Sequence, residues 1–254
     1  MRQLIAFTKK EFLDQYRSGK LFILGAVFLF FGIMSPAMAK LTPKLLEMLA
    51  KQDTGFVIDT AREVSALDSF DQFFKNMSTC LIVFVIMQAG IFTKEYSSGT
   101  LMLSLTKGMK RSRVIIAKAV TLIFIWTVCY AVCFGVCCGY TAYFWDISVA
   151  KHLMTAVLIY WIYGLFFISL IVFFSSLLKT NTAVIGCVAG VYLSMDIILG
   201  LIPKVKDVIP TKLAVIGQLI HGEDIAYAAP LAVTIILSAA FVLLSVPIFN
   251  KKQI

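Results

Sequence analysis

Six stretches of this chain are apolar with few interruptions: residues 21–39, 76–93, 119–143, 153–178, 183–201 and 231–249. At about 1.5 Å of rise per residue, helices of these lengths cross the roughly 30 Å hydrocarbon layer of a bilayer. Lipid offers a backbone no hydrogen-bond partner, so runs of this kind span as helices. The pattern predicts an all-α polytopic membrane protein, with six transmembrane helices forming a single domain over residues 1–254. Composition points the same way: 60% of residues are hydrophobic and 15% charged, against roughly 45–50% and 25% in soluble domains.

The polar segments differ in kind. Residues 1–20 read as an amphipathic helix ahead of the first span. Leu4, Ile5, Phe7, Phe12 and Tyr16 share one broad arc, and Gln3, Lys10, Asp14 and Arg17 crowd the other. Such a helix suits the headgroup layer, with Ser18–Gly19 as its joint to the first span. A plain basic anchor that only fixes topology is the simpler alternative. Residues 40–75 are too few for a separate domain. Pro43 can open a helix there, and Phe70, Phe73 and Phe74 fall on one side as the chain returns, which predicts a small helical lid. Residues 202–230 are interrupted by Pro203 and Pro210, while Leu213, Ile216, Leu219 and Ile220 give a short apolar face. They predict one or two extracellular, re-entrant or surface helices.

Charge sets the orientation. With the N-terminus cytoplasmic, the inner segments (1–20, 94–118, 179–182, 250–254) carry 14 Lys and Arg against three acids, Glu11, Asp14 and Glu95. The outer segments carry 9 basic residues and 10 acids, so the net charge of +9 is an inner surplus. By the positive-inside rule both termini are cytoplasmic. Anionic lipid or a partner accounts for the surplus without nucleic acid. The small-residue pattern at Ser35–Lys40 is read as part of a span, because the apolar run before it is nearly full length and the preceding 20 residues contain acids.

All six cysteines fall within spans. The stripe Cys129, Cys133 and Cys137 has no His or acid beside it, which favours helix packing over metal binding. Gly135 and Gly139, and Gly186 and Gly190, stand four apart and suit close helix approach. Tyr140, Tyr143, Phe144 and Trp145 cluster where the third span leaves the bilayer, as interfacial anchors do.

One segment has an order of its own: residues 93–118, TKEYSSGTLMLSLTKGMKRSRVIIAK, with six Lys and Arg. Glu95 precedes Gly99-Thr100 by four residues, Leu101, Met102 and Leu105 supply an apolar face, and the TKGMKRSR stretch breaks the helix and turns basic. Ser112 can cap a new helix that runs through Val114 into the third span. This is a helix–turn–helix hairpin on the membrane surface, with Gly99 allowing close backbone approach. The order resembles the type 2 permeases of ATP-binding cassette (ABC) transporters. The resemblance covers the whole plan: interfacial helix, six spans, this insert between spans two and three, and small helices before span six. In that family the insert (here 94–118) is the coupling helix that docks into a cleft of the ATPase. The resemblance thus implies Glu95, Gly99 and Thr100 at the ATPase contact, Leu101 and Leu105 as apolar plugs, and Arg111 and Arg113 holding the far end. Members often carry Pro in the turn where this chain has Lys107-Gly108, which bears on the turn's geometry. A plain basic loop accounts for the charges equally well, though not for the ordered Glu, Gly-Thr and leucine series.

The chain has no G-x-x-x-x-G-K-[ST] phosphate loop. The resemblance therefore implies a transport subunit that is not itself an enzyme and binds no cofactor. ATP and Mg2+ would sit on a separate ABC ATPase, and a second copy of this chain or a sister permease would complete one pathway. The expected function is export across the plasma membrane, by alternating access, of an amphipathic or hydrophobic substrate such as a peptide toxin or drug. Sodium or polysaccharide export is the alternative within the family. An ATPase-independent carrier would want inverted repeats, and an intramembrane enzyme would want clustered titratable groups. Only Asp196 is ionisable within a span, and His221-x-Glu223-Asp224 lacks the convergent ligand set of a metal site. The resemblance puts spans two and five along the pathway, making Asp196 and Gln88 candidate lining groups and Phe84 and Met87 an apolar wall. Asp196 has an equal claim as a carboxylate reaching interfacial water.

Overall fold

The computed structural model describes residues 2–50, 64–99, 111–201, 208–223 and 225–251. Helix α1 (Arg2–Arg17) precedes α2 (Lys20–Ala50), and α3 (Ala66–Gln88) runs through a turn at Ala89 into α4 (Gly90–Ser98). Then follow α5 (Arg111–Phe144), α6 (Leu153–Leu177), α7 (Asn181–Leu201) and α8 (Ala228–Lys251), with 3-10 helices at Ile147–Val149 and Pro210–His221. Among the described residues there is no strand. Six helices are long and apolar enough to cross a membrane. They alternate in direction, so α1, α4 and the C-terminal end of α8 gather at one end of the bundle, called basal here, and both 3-10 helices lie at the distal end.

The expected joint is present: Ser18 and Gly19 separate α1 from α2, with Gly19 at φ +72°. The face that α1 buries is not its most apolar arc. Phe7, Glu11 and Gln15 turn inward, while Ile5, Leu13 and Tyr16 are exposed. Polar partners waiting on α3, α4 and α5 select that face. Pro43 likewise opens no new helix; α2 continues past Pro36 and Pro43 to Ala50. Ser35 and Thr42, each beside a proline, donate back to Phe31 O and Met38 O at 2.7 Å, in keeping with a helix that adjusts locally around its prolines. Residues 51–63, the remainder of the expected lid, lie outside the described residues.

Phe70, Phe73 and Phe74 are buried as α3 descends, as their spacing predicts. The segment before the last span forms the 3-10 helix Pro210–His221. At about three residues per turn, Leu213, Ile216 and Leu219 stack on one face. With Ile220 they are buried against α3 and α6. Gly217 is pressed onto Phe74, where a Cβ would come to 2.9 Å. His221 Nε2 lies 2.9 Å from Asp71 Oδ2, so this helix is also tied to the start of α3 by a hydrogen bond.

The glycines that bring helices together are not the expected ones. Among the described residues nothing lies within 4 Å of a Cβ added at Gly135, Gly139, Gly186 or Gly190, and all four are exposed. Close approach occurs at Gly32, beside the Cys133 carbonyl on α5, and at Gly164 of α6, where the indole of Trp126 fills the notch. Four-residue spacing identifies a smooth helix strip; which strip meets a neighbour is decided by the fold.

Candidate functional site

At the basal end, five charged side chains from α1, α4 and α5 converge. Lys118 of α5 is fully buried. Its Nζ lies 2.9 Å from Glu11 Oε2 and 2.9 Å from Glu95 Oε2, and donates to the Ile91 carbonyl at 2.8 Å. Lys10 pairs with Glu95 Oε1 and lies 3.3 Å from Glu11 Oε1 and 3.4 Å from Asp14 Oδ2. The rings of Phe92 and Phe7 lie 5.2 and 5.8 Å from the Lys118 ammonium, presenting their electron-rich faces to it. Glu11, Asp14 and Glu95 bring carboxylate oxygens within 4.8 Å of one another. Two ammonium groups stand among these three carboxylates, so the arrangement is an ion-pair network.

Burial sets the proton affinities and the lysines divide them. Burial pushes Glu95 upward, but the charge of Lys118 and the hydrogen bonds from both lysines outweigh it and hold the group below its ordinary value. For Glu11 burial prevails over the pull of Lys118, and the charge of Glu95 adds to it, so its pKa rises. Burial disfavours the Lys10 cation, yet its bond to Glu95 and three nearby carboxylates leave its pKa above the usual lysine value.

This network stands where the insert leaves the bundle. Helix α4 ends at Gly99, whose φ of +68° is a left-handed conformation that side chains with a Cβ adopt at a cost. Among the described residues nothing lies within 4 Å of a Cβ added there, so the need for glycine comes from that φ. Thr100, Leu101 and Leu105 lie outside the described residues. The chain returns at Arg111, already helical, so Ser112 sits within the first turn of α5. Arg111 Nη1 donates to the Phe249 and Asn250 carbonyls at 2.8 and 3.0 Å, completing the last turn of α8, and its guanidinium stands 5.9 Å from the Phe249 ring. Arg113 also starts α5. The two feet of the insert are thus tied to different helices: Glu95 to α1 and α5, Arg111 to α8.

A second feature is a groove of about 320 Å³ between α3, α6 and α7, almost wholly apolar. Its α3 wall is Ser78, Leu81, Ile82, Val85 and Ile86. Phe84 and Gln88 of α3 are engaged elsewhere: Phe84 packs against Trp126 with ring centroids 5.3 Å apart, and Gln88 accepts from Gln15 Nε2 at 2.9 Å. Met87 is partly buried, and its carbonyl accepts from Lys20 at 2.7 Å. None of the four residues expected along a pathway lines this groove; Asp196 is exposed on α7, one turn beyond the lining residues Tyr192 and Leu193.

Two signals in the sequence led to the insert but not to its anchor. In the sequence Lys118 reads as one of the inner basic residues, and Lys10 as part of the polar arc of the first helix. A lysine followed directly by a long apolar run was the one hint that its charge would need a partner inside the protein.

A bundle of six membrane-crossing helices, with a charged surface insert after the second, defines a multi-pass membrane protein. The family model described as ABC-2 family transporter protein matches residues 5–253. The chain belongs to that family and is the membrane permease of an ABC transporter, a kind of subunit that generally lacks its own ATPase and associates with an ABC ATPase subunit. No curated protein matches it.

Proposed function

We propose that this chain is the permease of an ATP-driven exporter in the plasma membrane, working as a pair, with itself or a sister permease, alongside two ATPase subunits that bind ATP and Mg2+. Residues 94–118 act as the coupling hairpin. Closure of the ATPases pushes it and moves the pathway from inward-open to outward-open. The observation that carries this reading is the anchoring of the insert's two feet to α1, α5 and α8, since a load applied to the insert then reaches both the first and last helices. In this arrangement Glu95 holds the root of the hairpin within the chain, while Thr100, Leu101 and Leu105 are the residues left to meet the ATPase and Arg113 supports its far side. The apolar groove supports a cargo that is partly lipid-soluble.

The coupling role is tested at Gly99. A valine there must take up a left-handed φ at a cost of about 1–2 kcal/mol, whereas asparagine tolerates it. Gly99→Val should reduce ATPase pull-down about five- to thirtyfold, with membrane expression maintained, and Gly99→Asn should retain it. Full assembly and transport-linked ATP turnover in the valine variant would sink the assignment.

Orientation is checked with single cysteines in a background lacking the six native thiols. Ser148 at the distal end and Thr180 in the basal loop are both exposed. With both termini cytoplasmic, an impermeant thiol reagent should label Ser148→Cys in intact cells and spare Thr180→Cys. The reverse pattern turns the map over.

A further inference from the structure

One residue that lines the groove between α3, α6 and α7 carries a buried polar atom with nothing to bond to among the described residues. That residue is Tyr163, 2% exposed, and the atom is its hydroxyl oxygen. The contrast with Tyr160, one turn earlier on the same helix, is direct: its hydroxyl meets Ser78 Oγ at 3.2 Å. A buried hydroxyl left unbonded costs about 1–3 kcal/mol, and a chain under selection for stability alone does better with phenylalanine there. The rest of the wall is aliphatic and aromatic. The cavity is of a size that holds small molecules, which fill sites of about 300–1,000 Å³. On α7 the lining residues are Ile185, Val188, Ala189, Tyr192 and Leu193. Asp196 follows Tyr192 by four positions and Leu193 by three, so it stands on the same helix face one turn further toward the distal end.

We infer that this groove is a binding subsite for a cationic amphiphile: an apolar chain along the α3 and α7 walls, a carbonyl or ether oxygen accepting from the Tyr163 hydroxyl, and an ammonium group at Asp196. The inference rests on the export reading for its biological sense and names the cargo class. Its chemistry is that of the groove alone. An anionic annular phospholipid would satisfy the apolar wall, but its headgroup beside the Asp196 carboxylate sets like charges together. The charge one turn beyond the groove selects the cation.

The test uses the full chain in nanodiscs of neutral lipid, with a photoreactive N-acyl diamine that carries a long acyl chain, one amide carbonyl and a terminal ammonium. Saturable labelling of α3 and α7 is expected. Tyr163→Phe should weaken it about tenfold, the equivalent of ~1.4 kcal/mol, and at the same time raise the melting temperature of the ligand-free chain, because the unbonded hydroxyl is gone. Asp196→Asn should weaken the amine while leaving its N-acetylated, uncharged analogue unaffected. Ala189→Trp, which fills the groove, should abolish labelling by both. Two results overturn the inference. One is labelling that a photoreactive phosphatidylcholine matches and that none of the substitutions changes, which makes the groove a lipid seam. The other is a Tyr163→Phe chain that melts lower and binds normally, which makes the hydroxyl structural. Because binding is read without the ATPase, either failure leaves the Gly99 pull-down, and with it the coupling reading, untouched.

Discussion

Lys118→Met should lower the melting temperature of the detergent-solubilised chain by roughly 6–20 °C, the shift expected for about 3–5 kcal/mol in a chain of this size. Removing the ammonium takes away the partner 2.9 Å from Glu11 Oε2 and leaves Lys10 as the one ammonium of the network, shared by Glu11, Asp14 and Glu95. Neither Glu11 nor Glu95 can turn to bulk water, because both belong to helices packed around the lysine. The size of the loss is the cost of an uncompensated buried charge, which exceeds what the intact network contributes. A rescue follows from the same reasoning. Adding Glu11→Met to Lys118→Met removes the stranded charge together with its partner, and Glu95 keeps its bond from Lys10. The double variant should recover most of the lost stability while loosening α1, read as faster protease cleavage after Lys9 or Lys10. If Lys118→Met melts as the wild type does, the lysine is hydrated and the network does not hold the insert.

The spans were legible because their signal is long and one-dimensional: twenty or so apolar residues identify a membrane helix whatever they pack against. The 3-10 helix was legible for a related reason, since Leu213, Ile216 and Leu219 recur every third residue. Other features depend on residues distant in the chain. Glu11 and Lys118 are 107 positions apart, and no periodicity within α1 announces that its Phe7, Glu11 and Gln15 face will be preferred to its greasier one. Pro43 illustrates a different limit. A proline removes one donor and crowds the preceding turn, which outside a membrane favours a helix start or stop; α2 carries it through. The insert was recognised from the order of its residues. The resemblance put Arg111 at its far end but did not identify the partner it holds, because the Phe249 carbonyl of α8 lies 138 positions away in the chain.

Gly164→Val should be nearly as damaging as the loss of Lys118, and for a reason of volume alone. A Cβ at position 164 would come within 2.5 Å of the Trp126 indole nitrogen and closer still to the ring carbons beside it. The indole has nowhere to go. It is fully buried, stands edge-on to Phe28 and Phe84 with centroids 5.9 and 5.3 Å away, stacks on Tyr130 at 5.5 Å, and donates its N–H to the Trp161 carbonyl at 3.2 Å. Overpacking costs about 1–3 kcal/mol where neighbours can shift, and more where they cannot; two spanning helices locked around an aromatic cluster are the second case. Even Gly164→Ala places the offending atom, so it too should melt lower. Trp126→Phe alone should also destabilise, by emptying the notch. Combined with Gly164→Ala, the smaller ring makes room for the methyl group, and the pair should be more stable than the sum of the single losses by about 1 kcal/mol or more, the coupling of residues in contact. Apparent melting of the four proteins decides it. A Gly164→Ala chain at wild-type stability would mean that α5 and α6 do not cross at this glycine.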